Sequence, residues 1–369
     1  AEDGIRDIGV TGVQTCALPI LSDNHWALKA TEPFVRLTGD FRWINPHIQM
    51  EHAFIPIIQE ELAKLKGFKY FSDFDLTNAF HQFRLSRNTS EKLSIMTLEG
   101  PIRPLFLPEG VAPASAILQK HVRHIFAEFA DDSLIMFDNL TIGAHTLEDL
   151  FEKQRKFFAT CIKHNVYLKF TKSYFGVTSI KFFGYIADGT GYRFEVSRVQ
   201  SIRAVGFPEK GKPQERRTYM QSILGACNFI APCYVHYQPK LKTAPLWADL
   251  IAPLSDMTHK DFNWSDESTW RTNYRAEYKN LLNHLHLVTT LYYPDYTLDW
   301  FLRTDASQHG IGAILFQVRK KGAEEIAEPL STVAHKFSHT ATKWDTIKQE
   351  AFAIFFAVKK LSQIGRAHV

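Results

Sequence analysis

The alternation of apolar and polar residues divides the first part of the chain into strands and amphipathic helices. Aromatic residues alternate with polar ones in "FKYFSDFD", which predicts a strand that ends near Asp75. The apolar run "LIMF" enters the pair Asp138 and Asn139 and continues as "LTIG", which predicts a β-hairpin with that pair in its turn. Between them, helical spacing predicts a helix with one apolar face made by Ile117, Leu118, Val122, Ile125 and Phe126.

Downstream, the pattern predicts a helix, more strands and a second helical region. Thr146 is a plausible N-cap for a helix with apolar residues at Leu147, Leu150, Phe151, Phe157, Phe158, Cys161 and Ile162. "GFPEKGKPQERR" predicts a boundary, and strands return after Tyr292. The last helix is predicted to carry on one side Ile347, Ala351, Ile354, Phe355, Val358 and Leu361. This order of hairpins, helices and strands indicates an α+β fold.

Composition narrows the class of protein without naming a function. A chain of 369 residues with 45% hydrophobic content suggests two or three domains, and the net charge of +4 neither requires nor excludes nucleic acid. The four cysteines form no Cys-x-x-Cys pair, which favours a reducing compartment. No apolar run reaches the roughly 18 residues of a membrane span. We therefore expect a soluble intracellular protein, in a cytoplasmic particle or the nucleus.

Both ends of the sequence differ in character from the rest. Residues 1–20, "AEDGIRDIGVTGVQTCALPI", have neither an amphipathic period nor the layout of a signal peptide, and they look like a translated sequencing adapter. Residues 364–369 look like a second adapter frame. We expect both to be artefacts, the first of them disordered. One hypothesis is therefore that the reading frame is not expressed, which peptides from residues 21–363 in a source proteome would refute.

Two aspartates at predicted strand ends are the first candidates for chemistry. Paired carboxylates supply the hard oxygen ligands that Mg²⁺ prefers, and two such ions are typical of phosphoryl-transfer sites. Taken singly, Asp75 has a structural interpretation as a helix cap or solvated strand end. Asp138 with Asn139 has one as an ordinary hairpin turn, because both residue types tolerate positive φ.

Taken together, the segments from about Trp26 to Leu361 resemble the reverse transcriptase of gypsy-type LTR retrotransposons. The motifs that carry the resemblance are "RLTGDFRWIN", "FSDFDLTNAFHQ", "LPEGVAPASAILQ" and "MFDN". The resemblance implies a right-hand polymerase with fingers and palm at 21–188, a thumb and connecting region at 189–291, and a truncated ribonuclease H-like α/β domain at 292–363. It also implies Mg²⁺ (with Mn²⁺ as an alternative), dNTPs and a primed RNA or DNA template.

The resemblance implies a role for each matching residue. Asp75 and Asp138 would be catalytic metal ligands. The remaining matches would bind the incoming nucleotide: Arg36 at the triphosphate, Phe80 as a steric gate against a ribose 2′-hydroxyl, and Gln119 and Lys172 in the nucleotide pocket. A planar guanidinium suits phosphate oxygens, and an aromatic wall discriminates by clash.

The sequence departs from the family pattern in two motifs, where Phe137 also stands for the usual Tyr and the Ala-Pro order is shifted, and a rival motif lies nearby. Asn139 replaces the second Asp of the family's Y-x-D-D hairpin, and Glu109 replaces an aromatic residue. These changes support a second hypothesis, a decayed element product that binds primer-template without extending it. The rival is "FADD" at 129–132, which resembles the hairpin of non-LTR and intron-encoded reverse transcriptases. Spacing from Asp75 favours Asp138.

The last block, "LRTDASQHGIGAILFQ", resembles the start of the attached ribonuclease H domain. The resemblance makes Asp305 its first metal ligand and Glu350 its second. The remaining family carboxylates would lie beyond Leu361. We therefore expect this domain to be inactive as a nuclease because it is truncated.

Overall fold

The computed structural model describes residues 23–28, 35–50, 56–97, 99–236, 244–322 and 324–366, with the backbone alone at 23–28, 35–38, 269 and 363–366. The predicted adapter-like segment 1–20 lies outside these residues. The chain divides into two compact units, Ala1–Ile180 and Lys181–Val369. Helices and antiparallel strands mix in both units, so the predicted α+β class is confirmed. Within the described residues, no helix is both long and apolar enough to cross a membrane.

The first unit is built on a four-stranded sheet with the order β6-β7-β3-β8. Two hairpins, β1–β2 and β4–β5, accompany it. The strands are β1 (Asp23–Leu28), β2 (Val35–Asp40), β3 (Tyr70–Asp75), β4 (Ile95–Thr97), β5 (Gly100–Ile102), β6 (Ser133–Met136), β7 (Asn139–Ala144) and β8 (Tyr174–Val177). The helices are α1 (Ile58–Ala63), α2 (Arg87–Lys92), α3 (Ala114–Ile125) and α4 (Leu147–Lys163).

Helices α3 and α4 pack on one face of this sheet through aromatic rings. Phe157 of α4 stacks on Phe74 of β3 at 4.7 Å and on Phe126, at the end of α3, at 4.8 Å between ring centroids. Because side chains alternate along a strand, Asp73 and Asp75 lie on the face opposite Phe74. The aromatic core therefore packs against one face of β3, and the Asp73 and Asp75 carboxylates lie on the other face.

The predicted strand that ends near Asp75 is confirmed as β3, the predicted helix that carries Ile117 and Val122 is confirmed as α3, which ends one residue before Phe126, and the Thr146 cap is confirmed as well. The Thr146 hydroxyl accepts the Asp149 N–H at 3.1 Å, and α4 begins at Leu147. The predicted apolar face of α4 is only partly right, since Leu150, Phe157 and Cys161 are buried but the following are exposed: Leu147, Phe151 and Ile162.

The second unit contains a four-stranded sheet with the order β12-β11-β10-β9, a helical region, and a three-stranded sheet with the order β13-β14-β15. Strand β9 (Ile180–Phe182) runs across the boundary between units. The other strands are β10 (Tyr185–Ala187), β11 (Gly191–Phe194), β12 (Leu291–Tyr292), β13 (Trp300–Ala306), β14 (Gly310–Lys321) and β15 (Glu324–Lys336). The helices are α5 (Val196–Arg203), α6 (Pro213–Ile230), α7 (Trp247–Asp256), α8 (Glu267–Thr269), α9 (Arg275–His284) and α10 (Thr346–Arg366).

The predicted apolar side of α10 is wrong in most positions. The helix packs on β14 through small residues, Ala353 and Ala357, together with Leu361. The larger residues of the predicted side are exposed: Ile347 by 81%, Ile354 by 53%, Phe355 by 61% and Val358 by 53%. Phe352 and Phe356, which the prediction left off this side, are partly buried against the same core, while Ala353 and Ala357 let the helix approach the strand closely.

Candidate active site

The end of β3 and the turn between β6 and β7 lie side by side. Asp75 pairs with Asn139 in the β3–β7 register, and the Leu76 N–H donates to the Asp138 carbonyl at 3.1 Å. Strands β6 and β7 pair as far as Met136 with Asn139. The two turn residues are therefore Phe137 and Asp138, whereas the sequence predicted Asp138 and Asn139. Asn139 is the first residue of β7.

Gln119 explains this shift of the turn by one residue. Phe137 adopts φ +55°, a conformation that side chains other than glycine seldom adopt. Its N–H donates to Gln119 Oε1 at 2.6 Å, and Gln119 Nε2 donates to the Ile135 carbonyl at 3.0 Å. Gln119 is completely buried on α3. Both ends of its carboxamide thus fix the backbone of the hairpin that presents Asp138.

The pocket around Asp138 concentrates negative charge. Burial raises the pKa of Asp138, and the nearby charges of Asp75 and Glu109 raise it further, while Lys172 opposes them. Lys172 Nζ lies 3.3 Å from Asp75 Oδ2. A further carboxylate, Asp73, accepts the Thr141 hydroxyl at 2.7 Å, and burial raises its pKa to about 6. The site therefore favours a cation beside Asp75 and Asp138.

The fit to Mg²⁺ rests on this donor set. Asp75 and Asp138 provide carboxylate oxygens at adjacent backbone positions, and hard oxygen ligands are those that Mg²⁺ prefers. Mg²⁺ commonly uses one or two protein carboxylates together with substrate phosphates. Within the residues that the structure describes, no group of three or more His, Cys, Asp or Glu side chains could hold a metal ion. Two carboxylates fit a Mg²⁺ ion that takes its other ligands from water or phosphate.

For the other predicted nucleotide-binding residues, the structure describes the side chains of Phe80 and Gln119 but only the backbone of Arg36. Phe80 is half-buried in a 3₁₀ turn, Ala79–Gln82, and packs against the core of the first unit. Gln119 lies in the core behind the hairpin, as described above. Arg36 is in β2, where its backbone pairs with Ala27, and its side chain lies outside the described residues.

Two carboxamides near the site were not predicted. Asn45 Nδ2 donates to the Gly110 carbonyl at 3.0 Å, and its Oδ1 accepts the Ala112 N–H at 2.9 Å, which fixes the loop that carries Glu109. Gln82 binds the backbone of Tyr167, in the segment before Lys172. Both residues end motifs that carry the family resemblance, "RLTGDFRWIN" and "FSDFDLTNAFHQ", and that position is the signal that could have found them.

The rival motif "FADD" lies at the opposite end of the hairpin. The Asp132 carbonyl accepts the Gly143 N–H at 3.0 Å, and Asp132 Oδ2 is 2.9 Å from Lys153 Nζ. Gly143 pairs with Phe71, at the start of β3, four residues before Asp75. At about 3.3 Å per residue, this separation is roughly 13 Å. The geometry favours Asp138 as the partner of Asp75.

Asp305 and Glu350 belong to different elements of the last sheet. Asp305 in β13 pairs with Gly312, so both lie on one face. A Cβ at Gly312 would lie 2.7 Å from Leu246 Cδ2 and 3.2 Å from His236 Cε1, so this face is tightly covered. Burial lowers the pKa of His236, and the charge of Asp305 raises it. Glu350 is on α10, which packs against the opposite face of β14 through residues such as Ala353.

Two family models match the chain, one in its first half and the other near its end. Residues 31–187 match the family model described as reverse transcriptase (RNA-dependent DNA polymerase). Residues 270–366 match the RNase H-like domain found in reverse transcriptase. The chain is 26% identical over 334 residues to the retrovirus-related Pol polyprotein from transposon opus of Drosophila melanogaster, covering 88% of this chain and 31% of that protein.

Other relatives give the same picture. The transposon Tf2-7 polyprotein of Schizosaccharomyces pombe is 22% identical over 329 residues, which cover 89% of this chain and 23% of that protein. The chain thus spans less than a third of these relatives. Among solved structures, the foamy viral protease-reverse transcriptase dRH in complex with double-stranded DNA has a TM-score of 0.75 at 18% identity, over 94% of this chain and 56% of that one. This likeness shows the fold.

Proposed function

We propose that this chain, which joins a reverse transcriptase domain to an RNase H-like domain found in reverse transcriptase, catalyses RNA-directed DNA synthesis. It would do so as part of a retrotransposon Pol polyprotein. The substrates would be dNTPs and a primer 3′-hydroxyl on an RNA or DNA template. The observation that carries the proposal is the pair Asp75 and Asp138, held at adjacent strand ends beside Lys172. The relatives are consistent with the gypsy type predicted from the motifs and do not specify it.

Asp75 and Asp138 would hold Mg²⁺, or Mn²⁺ in its place, and two ions are the usual number in such sites. When bound, the ions neutralise triphosphate charge and lower the pKa of the primer hydroxyl. Asp138 must be ionised to take part, and its raised pKa makes that state sensitive to acid. The Lys172 ammonium, three residues after the Lys169 N–H that donates to the Asp75 carbonyl, would steady phosphate oxygens.

The first test is primer extension on an RNA template by the full chain with Mg²⁺ or Mn²⁺. Asp75→Asn and Asp138→Asn should each abolish extension, because each removes a ligand charge at the site. Asp132→Asn is the matched control, since Asp132 belongs to the rival motif at the other end of the hairpin. Extension that survives Asp138→Asn but not Asp132→Asn would assign the second ligand to the rival register.

A second candidate function is primer-template binding without extension, and two observations favour it. Asn139 pairs with Asp75 where the family has a second carboxylate, and Glu109 adds negative charge near Asp138. If the parent binds a primed template but does not extend it, Asn139→Asp should restore extension. If that variant is also silent, Glu109→Phe tests a second departure from the family pattern.

We also propose that the RNase H-like domain does not hydrolyse RNA in this chain. The support is structural, since Asp305 lies on the face of the sheet opposite the one that α10, the helix of Glu350, covers. Nuclease chemistry with two metals needs several clustered carboxylates. Incubation with a labelled RNA–DNA hybrid and Mg²⁺ should leave the RNA strand intact.

A further inference from the structure

The segment that carries Lys172 crosses the end of β3 with few backbone contacts. We call residues 165–172 the crossing segment. Leu168 forms an isolated bridge with Leu76, the Thr77 N–H donates to the Tyr167 carbonyl at 2.9 Å, and the Lys169 N–H donates to the Asp75 carbonyl at 2.7 Å. Isolated pairings of this length are marginal without support from side chains.

Burial and charge give the crossing segment limited support. The Tyr167 and Phe170 side chains are mostly exposed, and Val166 and Leu168 are only partly buried against the core. The Lys172 side chain is 59% exposed, and an ion pair in such a position contributes little free energy. The ion pair with Asp75 therefore indicates the position of Lys172 but contributes too little free energy to hold the side chain there.

Gln82 provides the missing support through its carboxamide. Its Nε2 donates to the Thr77 carbonyl at 2.7 Å and to the Tyr167 carbonyl at 2.9 Å. Its Oε1 accepts the Tyr167 N–H at 3.1 Å. One side chain thus satisfies both backbone groups of Tyr167 and joins the crossing segment to the chain just beyond Asp75.

Gln82 also belongs to the element that carries the predicted steric gate. Phe80 and Gln82 share the 3₁₀ turn Ala79–Gln82, which follows Asn78 at φ +44°. The carboxamide therefore connects the turn bearing Phe80 with the segment bearing Lys172. A change at Gln82 would alter the position of Lys172 relative to Asp75 without removing any charge from the site.

We propose that Gln82 is a positioning residue for the incoming nucleotide, acting through Lys172. This inference rests on the proposed polymerase function. The carboxamide holds the crossing segment so that the Lys172 ammonium stays at the phosphate-binding side of the carboxylate pair. Residues of this supporting kind change affinity or activity by about 10- to 100-fold in other sites. We expect the lower end, since backbone contacts at Thr77 and Lys169 remain.

The kinetic test compares Gln82→Met with Gln221→Met in primer extension. Methionine keeps the length of the side chain and removes its hydrogen bonds; Gln221 is an exposed glutamine with one long bond to the Thr258 carbonyl at 3.4 Å. Gln82→Met should raise the KM for dNTP roughly tenfold with a smaller change in kcat, because the lost contact is to bound triphosphate. Gln221→Met should leave both constants unchanged.

A double-mutant cycle with Lys172→Met separates positioning from general damage. If Gln82 acts through Lys172, Gln82→Met should add little to the KM of Lys172→Met. Equal effects of Gln82→Met in both backgrounds, or an unchanged KM in the parent background, would overturn the proposal.

Hydrogen exchange tests whether Gln82 holds the crossing segment and requires no polymerase activity. In Gln82→Met, the Tyr167 and Lys169 amides should exchange faster, while the amides of α4 remain protected. Unchanged exchange at Lys169 would show that the crossing segment does not depend on Gln82 and would refute the inference. If the parent never extends a primer, the proposed function fails, and with it the kinetic role; faster exchange at Lys169 would then leave Gln82 as a structural clamp alone.

Discussion

Replacing Gln119 by methionine should loosen the hairpin that presents Asp138. Methionine has nearly the volume of glutamine, so the core keeps its packing. In the parent protein, the Ile135 carbonyl and the Phe137 N–H bond to Gln119 at 3.0 and 2.6 Å. The change removes the hydrogen-bond partner of both groups. The Phe137 conformation at φ +55° also loses the contact that stabilises it.

The magnitude follows from the cost of unpaired backbone groups. A buried donor or acceptor left without a partner costs about 1–3 kcal/mol. Gln119 and its bond to Ile135 are buried, while Phe137 is half-buried, so the sum should fall at about 2–4 kcal/mol. For a folding unit of this size, each kcal/mol lowers Tm by about 2–4 °C. We therefore expect the first unit to unfold about 4–16 °C earlier.

The assay is thermal unfolding together with primer extension measured well below both transitions. Gln154→Met is the matched control, because Gln154 is also a buried glutamine of the first unit and donates to the Ser72 hydroxyl at 2.6 Å. It should lower the free energy of unfolding by about 1–2 kcal/mol and leave extension unchanged. Gln119→Met should lower both quantities.

The reasoning would be refuted by a Gln119→Met protein whose unfolding free energy stays within about 0.5 kcal/mol of the parent. It would also be refuted if Gln119→Met and Gln154→Met reduced extension equally at matched stability. In that case the loss would reflect the stability of the whole unit and not the position of the hairpin.

Three further predictions concern charge, metal and hydrolysis. The pKa of Asp73 rises from 3.8 to about 6 on folding, so the ionised carboxylate destabilises the folded state as the pH rises through that window. Asp73→Asn should therefore raise the free energy of unfolding by about 1–3 kcal/mol at pH 7.5 in EDTA but not at pH 4. Mg²⁺ should raise Tm in the parent and much less in Asp75→Asn, as calorimetry can show. Extension should decline on acidification above the ordinary carboxyl range, because the pKa of Asp138 is raised, and a pH–rate profile that declines only within the ordinary carboxyl range would contradict that role.

The elements that the sequence predicted well are those whose signals are local. The aromatic alternation that ends at Asp75 and the cap at Thr146 each depend on neighbouring residues, and both appear as expected. Motif resemblance added the reverse transcriptase assignment, in agreement with the family model that matches residues 31–187, whereas the gypsy type stays a prediction. The division into 21–188, 189–291 and 292–363 stays a prediction.

The features that the sequence did not predict depend on distant contacts or on close packing. The turn shifted by one residue because Gln119, on α3, binds the Phe137 N–H. The buried face of α10 was misassigned because Ile347, Ile354, Phe355 and Val358 also recur at helical spacing, although Phe352 and Phe356, with Ala353 and Ala357, make the face that packs on the sheet. Both sides of the helix carry large apolar residues, so helical periodicity alone does not identify the buried one.

The three unpredicted contacts share a chemical reason. Asn45, Gln82 and Gln119 each donate and accept hydrogen bonds through a neutral carboxamide. A carboxylate at these positions would add to the repulsion that already raises the pKa of Asp138, and an ammonium would compete with Lys172 for Asp75. A hydroxyl is too short to span two backbone groups. Carboxamides can therefore fix the loop, the crossing segment and the hairpin while leaving the charge at the site to Asp75, Asp138 and Lys172.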